Sequence, residues 1–577
     1  MQAFVSVENE AFKLRINTDN INIHNFRPRS RQISLTACQN SFAAFQLLFQ
    51  CDCRTCINLD DSPWFSEYSE SRNIYIRHEG KLQPIMKHIG MRQGDDGFSY
   101  ADVLESFPVA DVPASYPASV FVSFEVPPDC PPGEYSGVFK IVSNYLFEKE
   151  VLFDKIKYTL KVLPITLPTH ENSNFRLDLW QHNCNIARKA EVSCWSDRHF
   201  EIIEKYVKTL ADLGVDTVTA VVAEIPWSGQ RCFLDKETTS NLFEYSMISI
   251  AQQPDKTYTY DYSVLDRYIE LCFSYGINRE IEVFGLINNW ISGNDGFSNY
   301  TETADAIRLR YRLPNGTYAF IKKAADIKNY IKALYEHFIE KGWLDKVRVV
   351  ADEPSDHASF AKTIDMLRKL APDFRYKAAI VHKEFYDEFS DTVEDFCITL
   401  TDFAHHSDEW QEIIKNDKTH NFTFYVCCFP AYPNTFLSNS LLETRYLMIF
   451  ADYFGFKGFL RWNYTVWPKD PRHDIRLSLW PAGDTNFVYP AGDMTPLLSL
   501  RYQALRRAIE DFELLKMLRA AGQNKAVEEI HAKIIKNRDF KSFYEENISQ
   551  IKFDAISTAK YEDYQKVREI MYSALCK

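Results

Sequence analysis

The chain has 577 residues, a length that suggests two to four domains, and its 46% hydrophobic and 25% charged content is that of a globular protein, not a disordered or fibrous one. The formal net charge of -13 argues against a nucleic-acid partner, because such binding depends on Lys and Arg neutralising phosphates. No apolar run reaches the ~18–20 residues of a membrane span, and the N-terminus, MQAFVSVENEAFKLR, lacks the basic and apolar regions of a secretory signal. A soluble, cytoplasmic chain with no membrane partner is therefore expected.

Residues 1–165 read as strands and turns. Segments 42–49, 118–126 and 135–142 carry β-branched and aromatic residues, punctuated by Pro and Gly. Pro131-Pro132-Gly133-Glu134-Tyr135-Ser136-Gly137 reads as a turn entering a strand. This part is expected to be an N-terminal β-sandwich, and segment 163–168, with two prolines, a linker. The 13 cysteines show no disulfide framework. Cys51, Cys53 and Cys56 form a C-x-C-x-x-C cluster without a second ligand cluster, so neither a metal nor a cofactor is expected.

The texture then changes to short apolar strands alternating with amphipathic helices. Strands are expected at 175–183, 217–224, 280–287, 347–351, 376–381, 396–401, 422–428 and 458–463. Ser196 is placed to cap a helix whose apolar face is Phe200, Ile203, Val207 and Leu210, with Gly214 at its end. Ser263 opens the next helix. Ile327, Ile331, Leu334 and Phe338 then share one face of another, and Ser355 opens a helix through Leu370. Eight strands without a Gly-rich phosphate loop favour a (β/α)8 TIM-type barrel over a doubly wound sheet. The expected division is 1–165 sandwich, 166–525 barrel and 526–577 C-terminal helical extension.

Barrel sites lie at the C-terminal ends of the strands. Those ends offer Asp178, Trp180, His182 and Asn183; Glu224 and Trp227; Asn288, Asn289 and Trp290; Asp352 and Glu353; Thr401, Asp402, His405 and His406; Tyr425, Tyr432 and Asn434; and Arg461, Trp462, Asn463 and Trp467. Carboxylates, amides and tryptophans around one rim suit a sugar. With 15% aromatic residues, most rings belong to the core, and a minority can line such a cleft.

Asp352 and Glu353 are consecutive, and side chains alternate along a strand. Both reach one pocket only if the strand ends or bulges there, and Pro354 marks such an end. Two adjacent carboxylates are poorly placed to flank a glycosidic bond as acid and nucleophile. They suit a substrate-assisted route in which the sugar's own 2-acetamido oxygen attacks the anomeric carbon. The plainer alternative is that the tripeptide caps a helix. His405 and His406 suit surface or core roles, Cys427 and Cys428 a buried strand, and His182 a hydrogen-bonded rim position.

The stretch Gly458-Phe459-Leu460-Arg461-Trp462-Asn463-Tyr464 through Trp467, Asp470-Pro471, Trp480-Pro481-Ala482-Gly483-Asp484, Tyr489-Pro490 and LRYQALRRAIEDFELL at 500–515 resembles glycoside hydrolase family 123, the retaining β-N-acetylgalactosaminidases. Leu177-Asp178-Leu179-Trp180-Gln181-His182, Trp195-Ser196-Asp197, Asp352-Glu353-Pro354 and Tyr425-Val426-Cys427-Cys428 match in order. The resemblance implies exo-acting release of β-linked N-acetylgalactosamine from a glycan. It implies Glu353 as general acid/base and Asp352 as the group that polarises the acetamido. Trp462 and other rim aromatics would floor the sugar site, and Tyr425 or Tyr432 would bond the acetamido oxygen. The implied substrate-binding set is Trp180, His182, Asn289, Trp290, Tyr425, Tyr432, Trp462, Asn463, Trp467 and Asp484. Segment 118–126 lacks a tryptophan expected near its strand, and Arg461 stands where an uncharged residue is expected. Two rivals are a glycosidase of different sugar specificity, with Glu224, Glu282 or Asp402 as nucleophile, and a non-catalytic glycan-binding protein.

Overall fold

The computed structural model describes residues 3–17, 31–60, 71–145, 148–227, 242–287, 301–477, 479–541 and 552–577. The sheet-rich N-terminal region holds two six-stranded sheets. One contains Ser41–Cys51 paired with Ala118–Val126, and the other contains Gly133–Tyr145 paired with Val151–Thr166. Alternate residues of both sheets meet in one core, where Phe45 and Val122 face Phe139, Ile141 and Ile156. Phe45 and Phe139 pack edge to face at 5.6 Å.

The second region is built on eight parallel strands. They are β1 Arg176–Leu179, β2 Thr217–Val221, β3 Glu280–Phe284, β4 Val347–Asp352, β5 Arg375–Ile380, β6 Asp395–Thr399, β7 Asn421–Tyr425 and β8 Gly458–Arg461. The sheet order is β1-β8-β7-β6-β5-β4-β3-β2. At the remaining seam Leu177 bridges Val215, and Thr219 Oγ1 accepts the Gln181 amide at 3.1 Å. The result is a nearly closed eight-stranded parallel barrel, with each strand where the hydrophobic pattern places it. Gly458 is required by closure, since a Cβ there would lie 1.9 Å from Arg176 O on the neighbouring strand.

Helices cover the outside as their periodicity dictates. Ser196 caps Asp197–Leu213 by accepting the His199 amide, and Gly214 ends it at φ 90°. Phe200, Ile203, Val207 and Leu210 are buried, as are Ile327, Ile331, Leu334 and Phe338 of Ala324–Glu340. An unanticipated four-stranded sheet of 249–252, 258–261, 310–312 and 318–320 is inserted among the barrel elements. No described helix is long and apolar enough to cross a membrane.

The two regions are locked by polar contacts, the Asp102–Arg501 pair among them fully buried. Asp102 accepts from Arg501 Nε (3.0 Å) and Tyr489 Oη (2.6 Å), and Arg507 pairs with Glu10 at 2.9 Å. Lys13 Nζ donates to the carbonyls of Leu437 and Asn439. Asp95 accepts the Ala482 amide at 2.7 Å, two residues before Asp484. The N-terminal sheets thus hold the loops that frame the barrel mouth.

Candidate active site

The inward-facing residues of the barrel form successive levels. Deepest are ion pairs, Arg176 with Glu280 and Arg348 with Asp395, both at 2.8 Å. Above them Lys377 Nζ meets Asp178 at 2.7 Å and also contacts Glu282. The last inward positions are apolar and aromatic: Trp180, Val221, Phe284, Val350, Ala379, Tyr425 and Trp462 share one buried cluster. Charge at the bottom is neutralised within the protein, and the upper level presents rings to the mouth.

Asp352 ends β4 and shares the inward parity of Arg348 and Val350. Strict alternation would turn Glu353 outward. Instead Glu353 adopts φ 52°, a left-handed conformation that costs a non-glycine residue about 1–2 kcal/mol. Its amide still donates to Ala379 O at 2.9 Å, so the kink is held by β5. The turn brings the Glu353 carboxylate back over the mouth, where Tyr425 Oη donates to Oε1 at 2.6 Å. The following helix is capped by Asp356, which accepts from Ser359 N and Oγ, so capping is not the role of Asp352 and Glu353. Asp356, not Ser355, is the residue that opens that helix.

Burial, aided by the charge of Glu353, pushes the Tyr425 phenol well above its ordinary range. Tyr425 is therefore a fixed donor at any working pH, and a donor to a carboxylate favours its ionised form. With Glu353 as the general acid that the family resemblance implies, Tyr425→Phe is expected to move the high-pH limb of kcat/KM upward by about one pH unit. A pH–rate profile on wild type and variant checks this, and an unmoved limb would separate Tyr425 from the proton transfer.

Trp462 and Asp484 are organised by Arg461. The guanidinium is fully buried and donates to Asp484 Oδ1 (2.6 Å), Asp484 O (2.8 Å) and Val426 O (2.6 Å). The second Asp484 oxygen accepts from Trp462 Nε1 at 3.3 Å. Burial raises the Asp484 carboxyl and Arg461 opposes that shift. Both carboxylate oxygens are thus engaged by protein, and Asp484 positions Trp462. Gly483 carries φ 87° and lies so close to Leu437 N that a Cβ would sit 2.7 Å away. Trp480 packs on Trp462 at 5.7 Å. The roles of Arg461 and Trp480 were missed by residue-type reasoning, although both lie inside conspicuous Trp- and Gly-containing motifs.

The other expected residues divide. Trp180 packs against Trp227 (5.4 Å) and Phe284 (5.1 Å). His182 Nε2 lies 3.0 Å from Trp462 O, and burial lowers it to about 4, so it is a neutral support for the Trp462 backbone. Asn463 is fully buried next to Trp462 in sequence, and its amide makes no hydrogen bond among the described residues. Tyr432 is half-buried on the loop after β7 and packs on the main core. Trp467 departs from expectation. Its indole donates to Val488 O at 2.7 Å and packs at a tilt against Tyr206 on the helix side, because the chain turns away from the mouth after Asn463. Asn289 and Trp290 lie outside the described residues. Cys427 and Cys428 are not core residues: β7 stops at Tyr425, leaving Cys427 half-buried and Cys428 exposed.

The carboxylates named as rival nucleophiles are engaged elsewhere. Glu224 pairs with Arg310 at 2.7 Å, and Glu282 with Lys377. Asp402 lies in a helix and accepts from Trp410 Nε1 at 2.9 Å. Among the described residues no group of three or more His, Cys, Asp or Glu is placed to hold a metal ion.

Residues 180–518 match the family model described as glycoside hydrolase 123, catalytic domain. A solved family 123 glycoside hydrolase from Clostridium perfringens superposes with TM-score 0.75 at 17% identity, over 99% of this chain and 98% of that one. At that identity the likeness is one of fold. An Ig-like-domain GH10 xylanase from termite gut has TM-score 0.32 at 11% identity, covering 75% of this chain and 95% of that one. A glycoside hydrolase of Bacteroides vulgatus has TM-score 0.33 at 8% identity, covering 77% of each chain. No curated protein matches the chain.

Proposed function

The chain belongs to glycoside hydrolase family 123 and is a glycoside hydrolase, and on that premise we propose that it is an exo-acting, retaining β-N-acetylgalactosaminidase using substrate-assisted catalysis. The observation that carries this reading is the left-handed backbone at Glu353, which directs consecutive carboxylates to one mouth. Glu353 protonates the leaving glycosidic oxygen while the substrate's acetamido oxygen bonds to the anomeric carbon. Asp352 orients the acetamido group and stabilises the positive charge of the oxazolinium ion. Glu353, now ionised, takes a proton from water, whose oxygen attacks the anomeric carbon and opens the ring with net retention.

Trp462, packed at a tilt against Trp480, supplies the apolar floor for the sugar ring. The Clostridium perfringens relative is described as acting in glycolipid glycan hydrolysis. Glycolipid glycans ending in β-linked N-acetylgalactosamine are accordingly the natural substrate class proposed here.

Aryl β-N-acetylgalactosaminide, β-N-acetylglucosaminide and plain β-galactoside, assayed together, test the mechanism. The acetamido sugars are expected to turn over, the galactoside at least about 10²-fold more slowly, and a thiazoline mimic of the oxazolinium to inhibit. Comparable hydrolysis of the plain galactoside would remove substrate assistance.

A further inference from the structure

Cys427 and Cys428 take no part in the mechanism above. Their Sγ atoms lie 4.0 Å apart at the barrel mouth. Cys427 packs against the cluster that contains Tyr425 and Trp462, and the charges of Glu353 and Asp484 act on both thiols. The backbone that presents them is fixed: Arg461 holds Val426 O, and Asn434 Nδ2 donates to Cys427 O at 2.9 Å. A hydrogen bond from Cys427 lowers the Cys428 thiol, which favours its nucleophilic thiolate.

Two thiols so placed have two fates. Consecutive Cα atoms are about 3.8 Å apart, short of the ~4.4–6.8 Å of an ordinary disulfide. Direct oxidation therefore gives a strained, easily reduced ring. A bridging atom relieves that constraint, because two bonds of about 2.3 Å at a pyramidal centre hold sulfurs roughly 3.5 Å apart, and a small rotation of the exposed Cys428 side chain closes the present 4.0 Å to that. Zinc wants four ligands, and no third His, Cys, Asp or Glu joins the pair among the described residues.

We propose that Cys427 and Cys428 form a dithiol site for trivalent arsenic and similar soft centres satisfied by two thiolates, and that its occupation blocks the sugar site behind it. With an arylarsine oxide, two As–S bonds form while the As=O and two S–H bonds break. The oxygen leaves as water with both protons, and arsenic stays trivalent, so no oxidant is needed. The blockade rests on the glycosidase reading; the binding does not.

The test is phenylarsine oxide added to the full-length protein. Intact mass and peptide mapping are expected to show one phenylarsenic unit replacing two protons on the peptide with residues 427–428. Turnover of the aryl N-acetylgalactosaminide is expected to fall at least about tenfold and to return with a competing dithiol. Cys428→Ser is expected to keep turnover and to lose both adduct and inhibition. An adduct mapped to another thiol pair, such as Cys184 with Cys194, or none at all, overturns the site. An adduct at 427–428 with unchanged turnover overturns the blockade. If no glycoside is turned over, the mass readout still decides the binding, and loss of thiazoline binding on arsenical addition decides the blockade.

Discussion

Glu353→Gln is expected to lower kcat by about 10²–10⁴-fold, the usual contribution of a positioned general acid. Gln keeps the volume and still accepts from Tyr425 Oη, now 2.6 Å from Glu353 Oε1, so the left-handed turn and the fold are retained. What is lost is the proton. The deficit should therefore grow with the basicity of the leaving group: smallest for an aryl glycoside with an acidic phenol, largest for a natural glycan. KM should change little, because the substitution removes an interaction realised mainly in the transition state. Asp352→Asn should also lower kcat strongly but without dependence on leaving-group basicity, since its proposed partner is the acetamido group. Steady-state kinetics across a series of aryl leaving groups reads both. An equal dependence in the two variants would overturn the division of labour between the carboxylates, and full turnover by Glu353→Gln would overturn the acid assignment.

The second large effect is on stability. Lys377→Met is expected to cost about 3–5 kcal/mol, the range for removing one partner of a buried ion pair. Burial opposes the Lys377 charge, but Asp178 and Glu282 outweigh it and hold the ammonium well above its ordinary value. Met fills the space and leaves Asp178 without its ammonium at 2.7 Å inside the barrel. Glu282→Gln should behave differently. Burial and the neighbouring Asp178 push the Glu282 carboxyl well above its ordinary range while Lys377 opposes that shift, so the protonated form is favoured relative to an exposed Glu and an amide of the same shape mimics that form. That variant is expected to stay within about 1 kcal/mol of wild type. Urea midpoints of the three proteins measure the difference. Equal losses would show that Glu282 is ionised in the folded protein.

The amino-acid pattern by itself determined the eight barrel strands, the buried faces of the covering helices and the Ser196 and Gly214 ends, because periodicity and capping are local. It also placed Asp352 and Glu353 at a strand end, with Pro354 as the marker. Local pattern could not say that both carboxylates face the mouth, since alternation predicts the opposite; the left-handed Glu353, held by Ala379 of β5, decided that. Types alone also could not pair Tyr425 with Glu353, 72 residues earlier; the 2.6 Å bond between them exists only in the folded barrel. Arg461 looked out of place until Asp484, 23 residues on, supplied its buried partner. Trp467 and the two cysteines were misplaced because where the chain leaves the barrel wall depends on neighbours distant in sequence. The inserted sheet was invisible for the same reason: Ile250 pairs with Tyr311, and strands of three or four residues carry too little periodicity to announce such a pairing.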